Sequence, residues 1–185
     1  MSEFTNILEE IAKGKPQATA QLFPVVYQEL RQMAALQMKR ESLGHTLQAT
    51  ALVHEAWLRL AGPGNAAGWN NRAHFFAAAA ESMRRILIET ARRRSRLKHG
   101  AELAKVDLEV EHCVGADRAE EIFLVHEALD HLEGSNPEAA QVVKLRYFAG
   151  FSIDETASAM QLSPRRVDQI WAYAKAWLKN HLEAD

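Results

Sequence analysis

Residues 136–182 read NPEAAQVVKLRYFAGFSIDETASAMQLSPRRVDQIWAYAKAWLKNHL, and they decide the fold of the second half of the chain. Asn136 followed by Pro137 is a typical helix start, because Asn caps helices well and proline fits the first helical position. That helix should run to about Phe148. Ser152 and Glu155 have the spacing of a capping box, which predicts a short second helix over residues 153–160.

A tight turn and a longer helix follow the capping box. Gln161-Leu162 makes the turn, and Ser163-Pro164 repeats the cap-plus-proline start of a helix that runs to about Leu182. A short helix, a turn and a longer helix, with Ala157 small enough for close packing, indicate a helix-turn-helix. A three-helix bundle without a nucleic-acid role has the same spacing and remains the alternative at this point.

In a DNA-binding helix-turn-helix, the first residues of the longer helix reach the bases and later cations contact phosphates. The candidate base and phosphate contacts are Arg165, Arg166, Asp168, Gln169 and Lys175.

The rest of the chain has the same helical pattern. Apolar residues recur three and four positions apart over residues 4–11, 22–38, 52–60, 75–88, 122–132, 142–148 and 167–182. Alternating strand-like segments are not found. The least periodic part lies near residues 98–118. We therefore expect an all-α chain of two small helical domains joined by a flexible linker.

Charge is distributed unevenly along the 185 residues, although the net charge is only −2. Residues 1–98 contain 14 Lys/Arg and 8 Asp/Glu, whereas residues 117–185 contain 7 and 12. A basic first half and an acidic second half suggest two units with different partners. The single cysteine, Cys113, and the lack of a signal-peptide pattern or a long apolar run predict a cytoplasmic protein without membrane contact.

The first half carries a basic helix beside a polar loop. The cations of the helix flank the apolar run at residues 86–88: Arg84, Arg85, Arg92, Arg93, Arg94, Arg96 and Lys98. The loop, residues 65–72, reads NAAGWNNR. Cations that follow phosphates and an aromatic ring that holds unstacked bases suit single-stranded DNA. The alternative is a solvated helix end, where arginines complement the helix dipole.

Catalytic and metal chemistry has little support. His54-Glu55-Ala56-Trp57-Leu58 begins like the zinc-protease motif H-E-x-x-H, but Leu58 replaces the second ligand. His126 and His131 are five residues apart, which places them on different faces of a helix. We expect no enzyme activity, no metal and no cofactor.

Three blocks of the sequence together resemble a family. These are GHTLQATALVHEAWLRL (44–60), NRAHFFAAAAESMRRILIETARRRSR (71–96) and the helix-turn-helix ending in WAYAKAWLKNHL (171–182). The chain resembles the extracytoplasmic-function (ECF) sigma factors of the sigma-70 family, and the resemblance covers nearly everything except residues 98–118. It implies an alternative sigma factor that binds core RNA polymerase and directs promoter-specific initiation.

The resemblance assigns a task to each segment. Residues 1–97 would be sigma domain 2, residues 98–118 the linker and residues 119–185 sigma domain 4. Domain 2 would bind the coiled coil of the polymerase β′ subunit through Leu52, Val53, Glu55, Trp57 and Leu58. It would recognise and melt the −10 element through Trp69, Asn70, Asn71, Arg72, Arg84, Arg85 and Arg92. Domain 4 would read the −35 element with the helix after Ser163 and pack on the β flap.

Two segments depart from the family pattern. Where relatives carry an acidic cluster similar to Asp-Ala-Glu-Asp before Leu-Val-x-Glu, this chain has Gln48-Ala49-Thr50-Ala51. Phosphorylation of Thr50 by a Ser/Thr kinase would restore negative charge near a helix start, whereas Thr46 is a weaker candidate. The alternative is that Thr50 only caps the helix and that this branch of the family compensates for the missing charge elsewhere on the polymerase interface. In the reading helix, Asp168, Gln169 and Ala172 stand where relatives often have cations.

Two other functions stay open at this point. A helix-turn-helix regulator would bind duplex operator without polymerase, and an interaction module would sequester polymerase without directing initiation. An anti-sigma factor is a further candidate partner.

Overall fold

The computed structural model describes residues 3–15, 17–41, 48–62, 69–102 and 114–183. Within these residues the chain is all-helical, as expected. The helices are α1 Glu3–Ala12, α2 Ala18–Glu41, α3 Ala49–Leu60, α4 Arg72–Glu102, α5 Val114–Ser135, α6 Pro137–Val143, α7 Ile153–Met160 and α8 Pro164–Glu183. Residues Lys144–Phe148 continue α6 as a π-helical segment. Among the helices described, none is long and apolar enough to cross a membrane.

Helices α1 to α4 form the N-terminal half around an apolar core. Leu52, Val53, Ala56 and Leu60 are buried because their spacing places them on one face of α3. On α1, the ring of Phe4 lies among aromatic rings of α4, with centroid distances of 5.7 Å to Phe75 and 6.2 Å to Phe76. This core holds α4 in place, and α4 carries most of the basic residues of interest.

Helices α5 to α8 form the C-terminal half, and their ends follow the local signals. The side chain of Asn136 accepts a hydrogen bond from the backbone of Ala139, which caps α6. The capping box between Ser152 and Glu155 is present, which confirms the predicted start of α7. Gln161 has a φ of 57° and a ψ of 39°, a left-handed conformation that turns the chain from α7 into α8.

The two halves pack directly against each other. The side-chain nitrogen of Gln37 donates to the carbonyl of Ala80 in α4 and to that of Phe148 in the C-terminal half, both at 3.3 Å. The rings of Phe76 and Phe151 lie 5.4 Å apart. Buried apolar side chains from both halves form one continuous core. The orientation of the helix-turn-helix relative to α4 is therefore fixed by side-chain contacts.

The segment expected to be a flexible linker, residues 98–118, is helical at both ends. Helix α4 continues to Glu102, and α5 begins at Val114. Residues 103–113 lie outside the described residues, and so does Cys113. The division into domains at 98–118 remains a prediction.

Candidate functional site

Helix α8 presents the residues that were predicted to read DNA. Val167, Ile170 and Ala174 are buried, and they anchor one face of α8 on α6 and α7. Helix α7 packs on α8 and its small residue Ala157 is buried, in line with the expected close approach of the two helices. The opposite face consists of exposed side chains: Arg165, Arg166, Asp168, Gln169 and Lys175. The structure therefore brings all five candidates to one open helix face.

Two of these cations already have neighbours. The guanidinium of Arg166 lies 3.0 Å from the carboxylate of Glu138, and both side chains are about half exposed. The ammonium of Lys175 lies 5.5 Å from the centre of the Trp171 ring. Exposed pairs of this kind are worth less than about 1 kcal/mol, so neither contact prevents exchange for a phosphate.

Helix α3 divides the five predicted polymerase-binding residues into two groups. Leu52 and Val53 are fully buried, so their side chains are part of the core and present no surface to a partner. Glu55 is half-buried and lies 3.1 Å from Arg59. Leu58 is 72% exposed, which is unusual for leucine and marks an apolar surface that water covers in the free protein.

The exposed face of α3 continues onto α2 as an aromatic patch whose α2 members the sequence pattern does not reveal. The patch consists of Phe23, Tyr27, His54, Trp57 and Leu58. The ring of Phe23 lies 4.8 Å from that of Trp57, 5.5 Å from His54 and 5.5 Å from Tyr27. Residues 23 and 27 are four apart on a helix, and such pairs more often belong to the core. Their ring contacts with His54 and Trp57 of α3 place them on this surface.

Thr50 is exposed and is the second residue of α3. The N-cap is Gln48, whose side chain makes no capping hydrogen bond, and the first turn contains no acidic residue. Thr50 therefore does not cap this helix, and the capping alternative is wrong. A helix start without a side-chain cap or an acidic residue favours an added negative charge. Thr46 lies outside the described residues.

Residues 69–72 lie at the start of α4, where Trp69 is buried and the other three residues are exposed. The Trp69 ring is 9% exposed and meets Phe75 edge-on at 5.0 Å. The Asn71 side chain accepts a hydrogen bond from the backbone of His74 at 2.8 Å, which caps α4. Asn70 and Arg72 are exposed. Residues 65–68 of the predicted loop lie outside the described residues.

Arg72 is held by both charge and aromatic rings. Its guanidinium donates to the carboxylate of Glu29 and lies over the rings of Phe4 and Phe76, at 5.3 Å and 4.8 Å from their centres. These contacts keep Arg72 extended along the surface beside Asn70 and Asn71. A pre-positioned cation next to two amides suits a nucleic-acid backbone.

Arg84 differs from Arg85 and Arg92 of the same helix because it is only 2% exposed. Its guanidinium donates to the Glu81 carboxylate at 2.7 Å and lies 3.3 Å from Asp130 of α5. It also contacts the His126 ring and lies 5.7 Å from the centre of the Phe148 ring. Arg84 therefore cannot contact DNA in this arrangement, whereas Arg85 and Arg92 are exposed.

Glu81 is the centre of an ionic network formed by Glu81, Arg84, Asp130, Glu133 and Lys144. Lys144 is 8% exposed and lies 2.8 Å from Glu133 and 3.6 Å from Glu81. Burial alone would raise the pKa of the Glu81 carboxyl. The charge and hydrogen bonds of Arg84, with a contribution from the charge of Lys144, outweigh that effect and lower the pKa to about 2. Glu81 is therefore ionised at neutral pH. Buried charges persist only when they are paired in this way.

Metal-binding chemistry has no candidate among the residues whose placement is described. That part of the chain contains no group of three or more His, Cys, Asp or Glu side chains arranged to hold a metal ion. His126 contacts Arg84, whereas the ring of His131 lies 5.1 Å from that of His181. The two histidines thus have separate surroundings, as their spacing predicted.

Comparison with protein families gives a match to the model described as ECF sigma factor, and it covers residues 1–184. The chain belongs to the ECF sigma factors. Comparison with curated proteins and with solved structures gives no significant match. Membership confirms the resemblance and the all-α fold class. ECF sigma factors are regulatory transcription factors that work with RNA polymerase.

The family implies core RNA polymerase and promoter DNA as partners, often together with an anti-sigma factor. In this sigma factor the predicted DNA-reading face of α8 is open. The predicted −10 residues are divided: Asn70, Arg72, Arg85 and Arg92 face solvent, whereas Trp69 and Arg84 are buried. Tertiary packing, which sequence spacing does not reveal, accounts for this division.

Proposed function

We propose that this sigma factor binds core polymerase through Leu58 and the aromatic patch and reads the −35 element with the exposed face of α8. Residues 69–72 and Arg84, Arg85 and Arg92 of α4 contact the −10 element, Arg84 only after α5 has moved away. The open α8 face supports this proposal, because five polar or charged side chains lie together on a helix anchored by three buried residues. A helix held in this way has the geometry of a recognition helix in the major groove.

Core binding would depend on charge at the start of α3. Gln48, Thr50 and Ala51 are all exposed there, and none of them is charged. The family resemblance implies acidic residues at these positions, and these would face basic residues of the polymerase coiled coil. Without them the unmodified chain binds core weakly, because complementary charge supports both association rate and affinity.

Phosphorylation of Thr50 by a Ser/Thr kinase would supply the missing charge. A phosphothreonine carries about −1.5 to −2 charge and three acceptor oxygens. At the second position of α3 the phosphate also lies near free backbone N–H groups and the positive end of the helix dipole. The modification is therefore compatible with the helix and adds acceptors on the polymerase side.

The test measures binding of the purified full chain to core polymerase. It compares the unmodified chain, the chain with phosphothreonine at position 50, and a triple variant, Gln48→Asp, Thr50→Glu and Ala51→Asp, that restores the family's acidic pattern. A phosphoserine at Ser158, which is exposed on α7, controls for added charge elsewhere. Phosphate at Thr50 and the triple variant should each tighten binding about tenfold or more, equivalent to about 1.4 kcal/mol.

The outcomes separate the two parts of the proposal. Tight binding by the unmodified chain, unchanged by phosphate, would remove the switch and retain the polymerase role. Failure of every form to bind core would contradict the polymerase role and favour the regulator that binds duplex operator unaided.

A further inference from the structure

Acidic side chains of the C-terminal half lie over the basic residues of α4. Asp130 of α5 lies 3.3 Å from Arg84, and Glu133 lies beside Lys144 in the same network. The pKa of the Arg85 guanidinium is raised, first by its hydrogen bond to Glu81 and further by the negative charges of Asp130 and Glu133. The face of α4 that is assigned to DNA is thus opposed by carboxylates.

A second acidic contact faces residues 69–72. A cleft of about 1040 Å³ separates this segment from α7, and its lining includes Asn70 and Arg72 on one side and Asp154 and Glu155 on the other. The pKa of Glu155 is lowered by hydrogen bonds from Ser152, and the positive charge of Arg72 contributes to that shift. Acidic residues of two different helices therefore point toward the two parts of the proposed −10 surface.

We propose that in the free protein the acidic C-terminal half covers Arg84, places carboxylates of α7 across the cleft from Arg72, and so weakens the binding of DNA to this surface. This closed form rests on the proposed function, since it assigns Arg84 to DNA. It also explains the opposite charges of the two halves, which carry 14 Lys/Arg against 8 Asp/Glu in residues 1–98 and 7 against 12 in residues 117–185. In the free protein the two halves therefore bind each other, and binding of DNA to Arg84 requires that they separate.

Arg84 cannot bind a phosphate in the closed form. Its guanidinium is saturated by Glu81, Asp130 and His126, so a phosphate gains access only when α5 moves away.

The test replaces Asp130 by lysine in the full chain. Asp130 is 46% exposed, and its contacts are Arg84 and, on its own helix, His126, so the substitution opposes like charges across the halves without replacing a buried apolar side chain. Glu127→Lys is the matched control, because Glu127 is exposed on the same helix and the charge change is the same. Asp130→Asn provides a milder second variant.

Two readouts are needed, the radius of gyration from small-angle scattering and the affinity for a fluorescein-labelled 30-nucleotide oligothymidylate. Asp130→Lys should enlarge the radius and bind the oligonucleotide at least about threefold more tightly than Glu127→Lys, with Asp130→Asn changed less in the same direction. Equal affinities for the two lysine variants, or an unchanged radius, would overturn the closed form. Neither readout involves polymerase, so a failure of the proposed function appears separately, in core binding.

Discussion

The guanidinium of Arg84 lies 3.3 Å from the carboxylate of Asp130, and this contact joins α4 to α5 across the interface between the two halves. The same guanidinium nitrogen, Nη2, donates to the carboxylate of Glu81 at 2.7 Å. A residue that the sequence places in a basic, DNA-directed cluster is therefore part of the packing between the halves. Several consequences of this arrangement can be measured.

Glu81→Gln should destabilise the protein in a pH-dependent way. The pKa of Glu81 falls from its ordinary 4.5 to about 2 on folding, which is equivalent to about 3 kcal/mol because one pKa unit corresponds to about 1.4 kcal/mol. Since the folded-state pKa is depressed, this contribution is complete above about pH 5 and is lost as the pH falls toward about 2. Urea unfolding of both proteins between pH 7 and pH 2.5 measures the difference.

The expected difference in unfolding free energy is largest at pH 7 and less than half as large at about pH 3. Glu89→Gln is the control, because Glu89 is about half exposed on the same helix and pairs with Arg59 at the surface. The unfolding free energy of that variant should be lower than that of the unsubstituted protein by less than about 1 kcal/mol. A pH-independent difference for Glu81→Gln would contradict the account.

Gly150→Ala should loosen the packing between the halves. Gly150 has a φ of +77°, and a Cβ added there would lie 2.7 Å from the Cδ2 atom of Leu36 in α2. Gly14→Ala isolates the backbone effect, because Gly14 has a φ of +74° but no atom within 4 Å of an added Cβ. We expect the free energy of unfolding to fall by about 1 kcal/mol in Gly14→Ala and by clearly more in Gly150→Ala.

Adding Leu36→Ala to Gly150→Ala tests the cause. The double variant should lose less stability than the sum of the two single variants, since the smaller side chain removes the clash. Strict additivity in thermal or urea unfolding would show that the two positions do not touch.

Ser152→Ala should destabilise the helix-turn-helix by about 1 kcal/mol, because the capping box satisfies two backbone N–H groups at the start of α7. The Ser152 hydroxyl accepts from the Glu155 backbone at 3.1 Å, and the Glu155 carboxylate accepts from the Ser152 backbone at 2.7 Å. Ser158→Ala, an exposed serine of the same helix, should change unfolding by less than about 0.5 kcal/mol. Equal effects of the two substitutions in urea unfolding would argue against the cap.

Leu58→Ala should weaken core-polymerase binding without changing stability. Leu58 is 72% exposed beside Trp57, so its removal changes the surface and not the core. Leu124→Ala is matched to it, since Leu124 is an exposed leucine of α5 away from the aromatic patch. Core affinity should fall about fivefold or more for Leu58→Ala alone, as expected for an apolar interface residue that costs about 1 kcal/mol. Unchanged affinity would remove the patch from the interface.

Local signals in the sequence predicted much of this structure. Asn136, Ser152 and Ser163 each precede a helix at the expected residue, because caps depend on hydrogen bonds within three or four residues. The exposed face of α8 was predicted by the same reasoning, because one face of an amphipathic helix packs on the core and the other stays in solvent. Features that depend on neighbours close in sequence are therefore accessible without a structure.

Features that depend on distant neighbours were not predicted. Arg84 and Arg85 are adjacent in sequence, yet Arg84 faces α5 and is buried while Arg85 is exposed. Helix α4 packs on α3 and also on the C-terminal half, so its buried face is wider than the apolar pattern indicates. Only Lys144, a charged residue within an apolar stretch, indicates from the sequence that an ion pair is buried here.

Run-off transcription with purified core polymerase and genomic DNA of the source organism tests the sigma assignment most directly, since it works on promoters of any sequence. Core should be assayed alone, with the unmodified chain and with the chain phosphorylated at Thr50. The account predicts discrete transcripts whose start sites share two upstream elements, strongest with the phosphorylated chain. Transcripts indistinguishable from those of core alone in both additions would contradict it.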